Sequence, residues 1–180
     1  MSVPLVMALP QHVLDGLPAA LLRDGRLVPA EAREAGLSLG WSELDAVLPG
    51  GGLLRGGVVE LCVTGAAAGA TRIALAACRA AQAEGRERGG DTPWCAFVDP
   101  SSSLFGPGVA ETGVQLDRLL VVRPSLEALA RVSLRVALSR AFAVVIVDTM
   151  GVPGSQVDLS LGTWPRVVRR LALAVESTQA

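Results

Sequence analysis

Val58 to Leu75 reads VVELCVTGAAAGATRIAL. An apolar run passes through a turn of small residues into the start of an amphipathic helix. That is the strand–loop–helix layout of a loop that cradles phosphates, whose pattern is Gly, four residues, Gly-Lys, then Ser or Thr. In this frame Thr64 stands at the first Gly with Gly65 beside it, Gly69 at the second, Ala70 where the lysine belongs, and Thr71 at the Ser/Thr position. The scaffold of the loop is present and its charge is missing. Val58 to Val63, interrupted by Glu60 alone, reads as a strand buried in a parallel sheet. Arg72 to Ala83 (RIALAACRAAQA) reads as the helix that follows.

Working outward, strands and helices alternate. Towards the N-terminus, Ser42 is placed to cap a short helix through Leu48, with Glu43 and Asp45 in its first turn, where the helix dipole favours acids. Pro49 and three glycines then make an ordinary connector. Gln11 to Arg23 and Pro29 to Ala35 carry helical patterns broken by Gly16 and Pro18, so residues 1–36 read as an N-terminal helical arm and 37–180 as the core. Towards the C-terminus, Glu84 to Asp91 is charged and Gly-rich and reads as a solvated loop. Trp94 to Val98 is a strand ending in Asp99, Val109 to Gly113 a short helical piece, and Arg118 to Arg123 a strand. Ser125 to Arg140 is a Ser-capped helix with Leu126, Leu129, Val132 and Val136 as its apolar stripe. Phe142 to Val147 is a strand ending in Asp148, Thr149 to Gly162 a long polar loop, and Trp164 to Val175 a final helix. The pattern predicts an α/β fold with a mostly parallel central sheet flanked by helices. The last helix has an apolar face that calls for cover, from a further strand or from another element.

Phosphoryl transfer needs backbone amides around the phosphates, a lysine, a magnesium-holding acid and a group that orients water. Gly65 and Gly69 supply freedom for an amide nest, Thr71 is placed to meet a magnesium ion, and Asp148 follows an apolar strand at the metal-holding position. Ala70 cannot meet the charge that develops on the phosphates, and loss of such a contact removes several kcal/mol of transition-state stabilisation. Arg72 is turned roughly 200° from Ala70 on the helix and reads as solvated or ion-paired. Asp148 serves equally as a loop cap or as the remnant of a metal site.

Composition narrows the classes. The chain has 180 residues, 51% hydrophobic, with a formal net charge of −1. It is long enough for a substantial core, and long-range attraction to nucleic acid is not built into the whole chain. No apolar stretch is long enough to span a bilayer, and the N-terminus lacks the basic start of a signal peptide; a cytoplasmic protein is expected. His12 is the single histidine, which argues against a histidine triad or metal cluster. Cys62, Cys78 and Cys95 lack CxxC spacing and read as buried, reduced thiols. No metal site is expected.

The stretch GLSLGWSELDAVLPGGGLLRGGVVEL (Gly36–Leu61) resembles the lead-in to a RecA-type core. WCAFVDPSSSLF (Trp94–Phe105) resembles the strand and loop that carry that family's catalytic glutamate, and VVIVDT (Val144–Thr149) its Walker B strand. The likeness runs from about Leu37 to Ala174, so a RecA-like P-loop core, truncated relative to the full one, is implied. Two departures stand out: Ala70 at the Walker lysine and Ser101 at the glutamate. Together they imply no hydrolysis and no ATP–Mg cofactor.

Within that superfamily the sequence is most similar to the ImuA family, RecA-like accessory proteins of bacterial mutasomes. The resemblance implies a non-catalytic, nucleoid-associated adaptor in damage-induced translesion synthesis. Its partners would be an ImuB-like Y-family polymerase homologue and RecA, with an error-prone replicative-type polymerase reached indirectly; self-association stays open. Thr149 to Gly162 takes the place of the first DNA-contacting loop but holds Asp158 and no Lys or Arg, so phosphate contact there is weak. Arg166, Arg169 and Arg170 share one face of the last helix and are the candidates for DNA or partner contact, a merely solvated face being the alternative. A RecA-like ATP-dependent DNA-binding protein and a SulA-like cell-division inhibitor are the competing implications.

Overall fold

The computed structural model describes residues 22–23, 26–27, 35–62, 69–149 and 164–176. The chain forms two compact units, Met1–Glu34 and Ala35–Ala180. In the first, β1 (Leu22–Arg23) pairs antiparallel with β2 (Arg26–Leu27). The helical pattern expected through Arg23 therefore gives way to extended chain. Asp24-Gly25 separates the two strands in sequence, and Asp-Gly is a strong hairpin signal.

The second unit is built on a three-stranded parallel sheet in the order β4-β3-β5. β3 (Cys95–Val98) lies between β4 (Leu119–Val122) and β5 (Val144–Val147), with Cys95 opposite both Leu119 and Val144. All four residues of β3 are buried, as a central strand covered on both faces requires. Its edge neighbour β4 exposes Leu120 and Val121.

The helices follow in chain order: α1 (Ser42–Val47), α2 (Gly69–Glu87), α3 (Gly106–Glu111), α4 (Leu126–Leu138) and α5 (Trp164–Glu176). Leu75 and Cys78 of α2 pack with Cys95 and Phe97 of β3, Val109 of α3 and Val114. Residues two apart share a strand face, so Cys95 and Phe97 face α2. The buried Ala96 and Val98 need cover from the other side, where α4 packs against β3 and β5. A second cluster joins Leu39, Trp41, Leu44 and Leu53 to Ile73, Ala76 and Ala77 of α2. The third holds α5 to α4 through Leu134, Ala137, Val167, Leu171 and Ala174. That contact supplies the cover that the apolar face of the last helix demanded.

Three expectations change. Val58 to Cys62 forms no strand: it carries no ladder pairing, and Val58 and Val59 are exposed. An apolar run becomes a buried parallel strand only when a neighbour takes its hydrogen bonds and helices cover both faces. Among the described residues β5 pairs with β3 alone. Helix α2 runs on to Glu87, through the start of the stretch read as a loop. Its C-terminal end is held by Glu84, which accepts from Arg55 at 2.7 Å and from Arg88, one turn on, at 2.6 Å. The third change concerns the start of α1. Trp41 takes the N-cap position with no side-chain bond, and Ser42 is the first helical residue.

The capping chemistry falls instead to Asp45. It accepts from the Leu39 N–H at 2.9 Å, the Gly40 N–H at 3.0 Å and the Ser38 hydroxyl at 2.8 Å. The Leu39 bond leads a set of such bonds that holds its carboxyl below the ordinary value. The carboxylate thus ties the chain before α1 to the helix itself. Behind it, Leu37 and Leu53 exchange both backbone hydrogen bonds in an antiparallel bridge, at 2.8 and 2.9 Å.

Candidate functional site

The phosphate-loop positions divide. Thr64 and Gly65 lie outside the described residues, as does most of the 149–162 loop with Asp158. Gly69 opens α2, and Ala70 and Thr71 follow in its first turn, where amide groups have no intrahelical partner. Thr71 is exposed and Ala70 half-buried. Arg72 is exposed, as a solvated side chain would be, and joins no ion pair among the described residues. Its guanidinium lies over the Trp41 ring, 5.4 Å from the centroid, a cation–π contact between residues far apart in sequence. Beside this pair, between α2 and α3, is a concave pocket of about 300 Å³ lined by Trp41, Arg72, Arg79, Glu111 and Thr112. Arg79 reaches across to donate to the Leu39 carbonyl at 2.9 Å. No local sequence pattern marks this pocket, because its walls come from three elements.

The two acids stand where the strand reading places them, one residue beyond the C-terminal ends of β3 and β5. The Asp99 N–H continues the ladder to the Val122 carbonyl at 2.8 Å, and that of Asp148 to the Val98 carbonyl at 3.0 Å. This is the rim at which parallel α/β sheets present their chemistry. Asp99 is fully buried and its carboxylate is turned into the loop that follows it. One oxygen accepts from the Ser103 N–H at 3.0 Å and lies 3.1 Å from the Ser101 hydroxyl; the other accepts from the Leu104 N–H at 3.0 Å. Arg123, at the end of β4, adds a longer ion pair at 3.7 Å. Burial alone would raise the Asp99 carboxyl. The Leu104, Ser103 and Ser101 hydrogen bonds and the Arg123 charge outweigh it and bring the group below the ordinary carboxylate value.

Ser101 lies 3.0 Å from the Ser103 hydroxyl as well as against Asp99. Ser103 also lies 3.4 Å from Asp148, so one hydroxyl links the two acid positions. A carboxylate has about four acceptor sites, and those of Asp99 are engaged by its own loop and by Arg123. Chemically this rim is a cap on residues 101–104, with Asp148 the half-buried acid of the pair. Among the described residues no group of three or more His, Cys, Asp or Glu is placed to hold a metal, and no helix is long and apolar enough to cross a membrane.

Arg166, Arg169 and Arg170 are exposed on α5, as their spacing predicts, and stand away from the strand-end acids in sequence and on a different element. The cysteines split. Cys78 and Cys95 are buried, with the Cys95 thiol donating to the Cys78 carbonyl at 3.8 Å, whereas Cys62 is exposed, contrary to the expectation of three buried thiols. One feature of the sequence bears on the whole site: all 16 Lys and Arg residues are arginines, so the chain carries no lysine.

Comparison with known proteins fits this core. Protein RecA of Rhodospirillum centenum is 32% identical to the chain over 146 residues, which cover 77% of this chain and 38% of that protein. The relationship is a distant RecA-like one, and the α/β sheet with its flanking helices agrees with it. The chain spans little more than a third of the length of that relative. The family model of the MT3502 N-terminal domain matches residues 46–172, from α1 to the middle of α5, and to that family the chain belongs.

Proposed function

We propose that the chain is a non-catalytic RecA-like adaptor in damage-induced translesion DNA synthesis and mutagenesis. It would contact an ImuB-type Y-family polymerase homologue and RecA, and through them an error-prone replicative-type polymerase. The observation that carries this reading is the state of the strand-end rim. Asp99 caps its own loop, Ser101 stands where a base would have to be, and Ser103 lies between the two acids. The residues do not fit a hydrolytic Mg–ATP site. Ala70 brings no charge to the phosphates, the chain has no lysine to replace it, and a serine hydroxyl cannot act alone as the base that orients water. A core that keeps strand order and strand-end acids while lacking this chemistry is suited to present surfaces.

Two measurements test the proposal. The purified chain should show no DNA-stimulated ATP turnover, and millimolar ATP–Mg should leave its melting temperature unchanged, since a ligand that binds the native state raises it. Turnover that disappears in Asp148→Asn would sink the non-catalytic reading. In cells, deletion should abolish damage-induced mutation, and the tagged chain should recover RecA and the polymerase homologue after damage. Filamentation on overexpression with mutation unaffected would favour a division inhibitor instead.

A further inference from the structure

The pocket between α2 and α3 is lined by two guanidiniums, and each is fixed in place. That of Arg72 lies over the Trp41 ring, 5.4 Å from the centroid. Arg79 follows two turns further along the same face of α2 and donates to the Leu39 carbonyl at 2.9 Å. Its side chain runs between two glycines. A Cβ on Gly113 would stand 3.3 Å from its Cδ, and one on Gly40 would stand 3.5 Å from its Nη2. The anchors Leu39 and Trp41 are two residues apart, so both arginines are drawn to one short segment. They meet around a single concavity of about 300 Å³.

Both arginines keep donors to spare. A guanidinium has five N–H donors; Arg79 gives one to Leu39, and the Arg72 contact is with a ring. Neither joins an ion pair among the described residues, where the ion pairs belong to Arg55, Arg88 and Arg123. The third charge on the wall, Glu111, is exposed and also stands outside those pairs. The Thr112 hydroxyl is turned onto the Val109 carbonyl at 2.6 Å and does not compete as a donor. Two arginines against one glutamate leave the pocket with a net positive charge of one unit.

We propose that this pocket binds a small organic monocarboxylate, its carboxylate held by Arg72 and Arg79 and its apolar body lying against Ala76 and Trp41. Arginine's planar donor set matches carboxylate and phosphate alike. The charge balance decides between them: one carboxylate closes it, whereas a phosphate group, at about −1.5 to −2, overshoots it beside Glu111. Side chains already ordered have little rotamer freedom left to lose on binding. At about 30 Å³ for each water-sized group, the space takes about ten non-hydrogen atoms. That is the size of a free acid such as phenylacetate, or of the C-terminal residue of a peptide. The inference goes beyond the adaptor reading and stands whether or not that reading does.

The isotope-labelled full chain is titrated with phenylacetate and with N-acetyl-leucine, which mimics a peptide C-terminus. Binding is followed at the Trp41 indole N–H, assigned by NMR through Trp41→Phe. Saturable binding with a Kd of about 1 mM is expected for a ligand of this size. The uncharged phenylacetamide and N-acetyl-leucinamide should not bind. Arg72→Gln should weaken binding about tenfold or more, and Glu111→Gln should strengthen it about threefold. Both positions are exposed, and circular dichroism melts confirm that each variant folds. Arg79→Lys, which keeps the charge and loses the fork, should weaken binding at least about threefold. The tighter of the two acids names the source, free acid or peptide end. No saturable shift with either acid at about ten times that Kd overturns the proposal. Equal binding of the amides, or undiminished binding by Arg72→Gln, overturns it too. Inorganic phosphate bound more tightly than both acids would overturn the charge argument and reassign the pocket to phosphate.

Discussion

Gln82 shows how much one buried polar side chain fixes. It is 1% exposed on α2. Its amide oxygen accepts from the Gln115 N–H at 2.9 Å, and its nitrogen faces the Gln115 and Arg118 carbonyls at 3.3 and 3.4 Å. These bonds hold the turn at Leu116–Arg118 that feeds β4. Gln82→Ala leaves that backbone unpaired, and a buried unpaired group costs about 1–3 kcal/mol; urea unfolding should read a loss of that size. Asp99 gives a pH signature. Its folded pKa lies below the unfolded value, about 3.9 for Asp. Its contribution is therefore complete above that value and is lost as pH falls through the folded one. Asp99→Asn should be less stable than the parent at pH 7, and the difference should shrink in melts below about pH 4. The Asp99 and Asp148 positions were legible because each closes an apolar tetrad. Their partners were not. The turn of the Asp99 carboxylate into residues 101–104 depends on a loop conformation with Ser102 at φ 57°, which no spacing announces.

At the scale of elements, the strands β3, β4 and β5 and the helices α4 and α5 were legible to within two residues at most ends. Their apolar periods are clean and bounded by Pro, Ser or Asp. The misses have separate physical causes. The end of α2 looked like loop because Gly85 and a run of charges mask a helix that Glu84 secures through Arg55, a residue 29 positions away. The cap of α1 looked like Ser42 because the short-range rule looks forward, whereas Asp45 reaches back to Leu39 and Gly40. The glycines before Val58 looked like a plain connector, yet Gly52 permits the bridge between Leu37 and Leu53. A Cβ on Gly52 would collide with the Leu37 carbonyl, and one on Gly36 would come within 2.7 Å of the Gly52 backbone. Gly52→Ala should therefore separate the two chains. Overpacking of this kind costs about 1–3 kcal/mol, measurable by thermal melting, with faster amide exchange at Leu37 and Leu53.

For the molecule as a whole, the fold class was legible and the arrangement of its surfaces was not. The alternation of apolar tetrads with amphipathic helices dictates parallel α/β layering. Which faces remain open depends on pairings between distant segments, such as Trp41 with Arg72 or α4 with α5. The contrast among the three cysteines has a practical outcome. Cys78 and Cys95 sit in the main core, where hydrogen bonding with Cys95 and burial push the Cys78 thiol up, while Cys62 meets solvent. Native protein given a brief pulse of maleimide should gain one adduct by intact mass, and unfolded protein three. The unmodified chain thus carries an attachment point for a fluorophore or spin label beside the stretch that leads into α2, and two silent positions whose capture times the opening of the core.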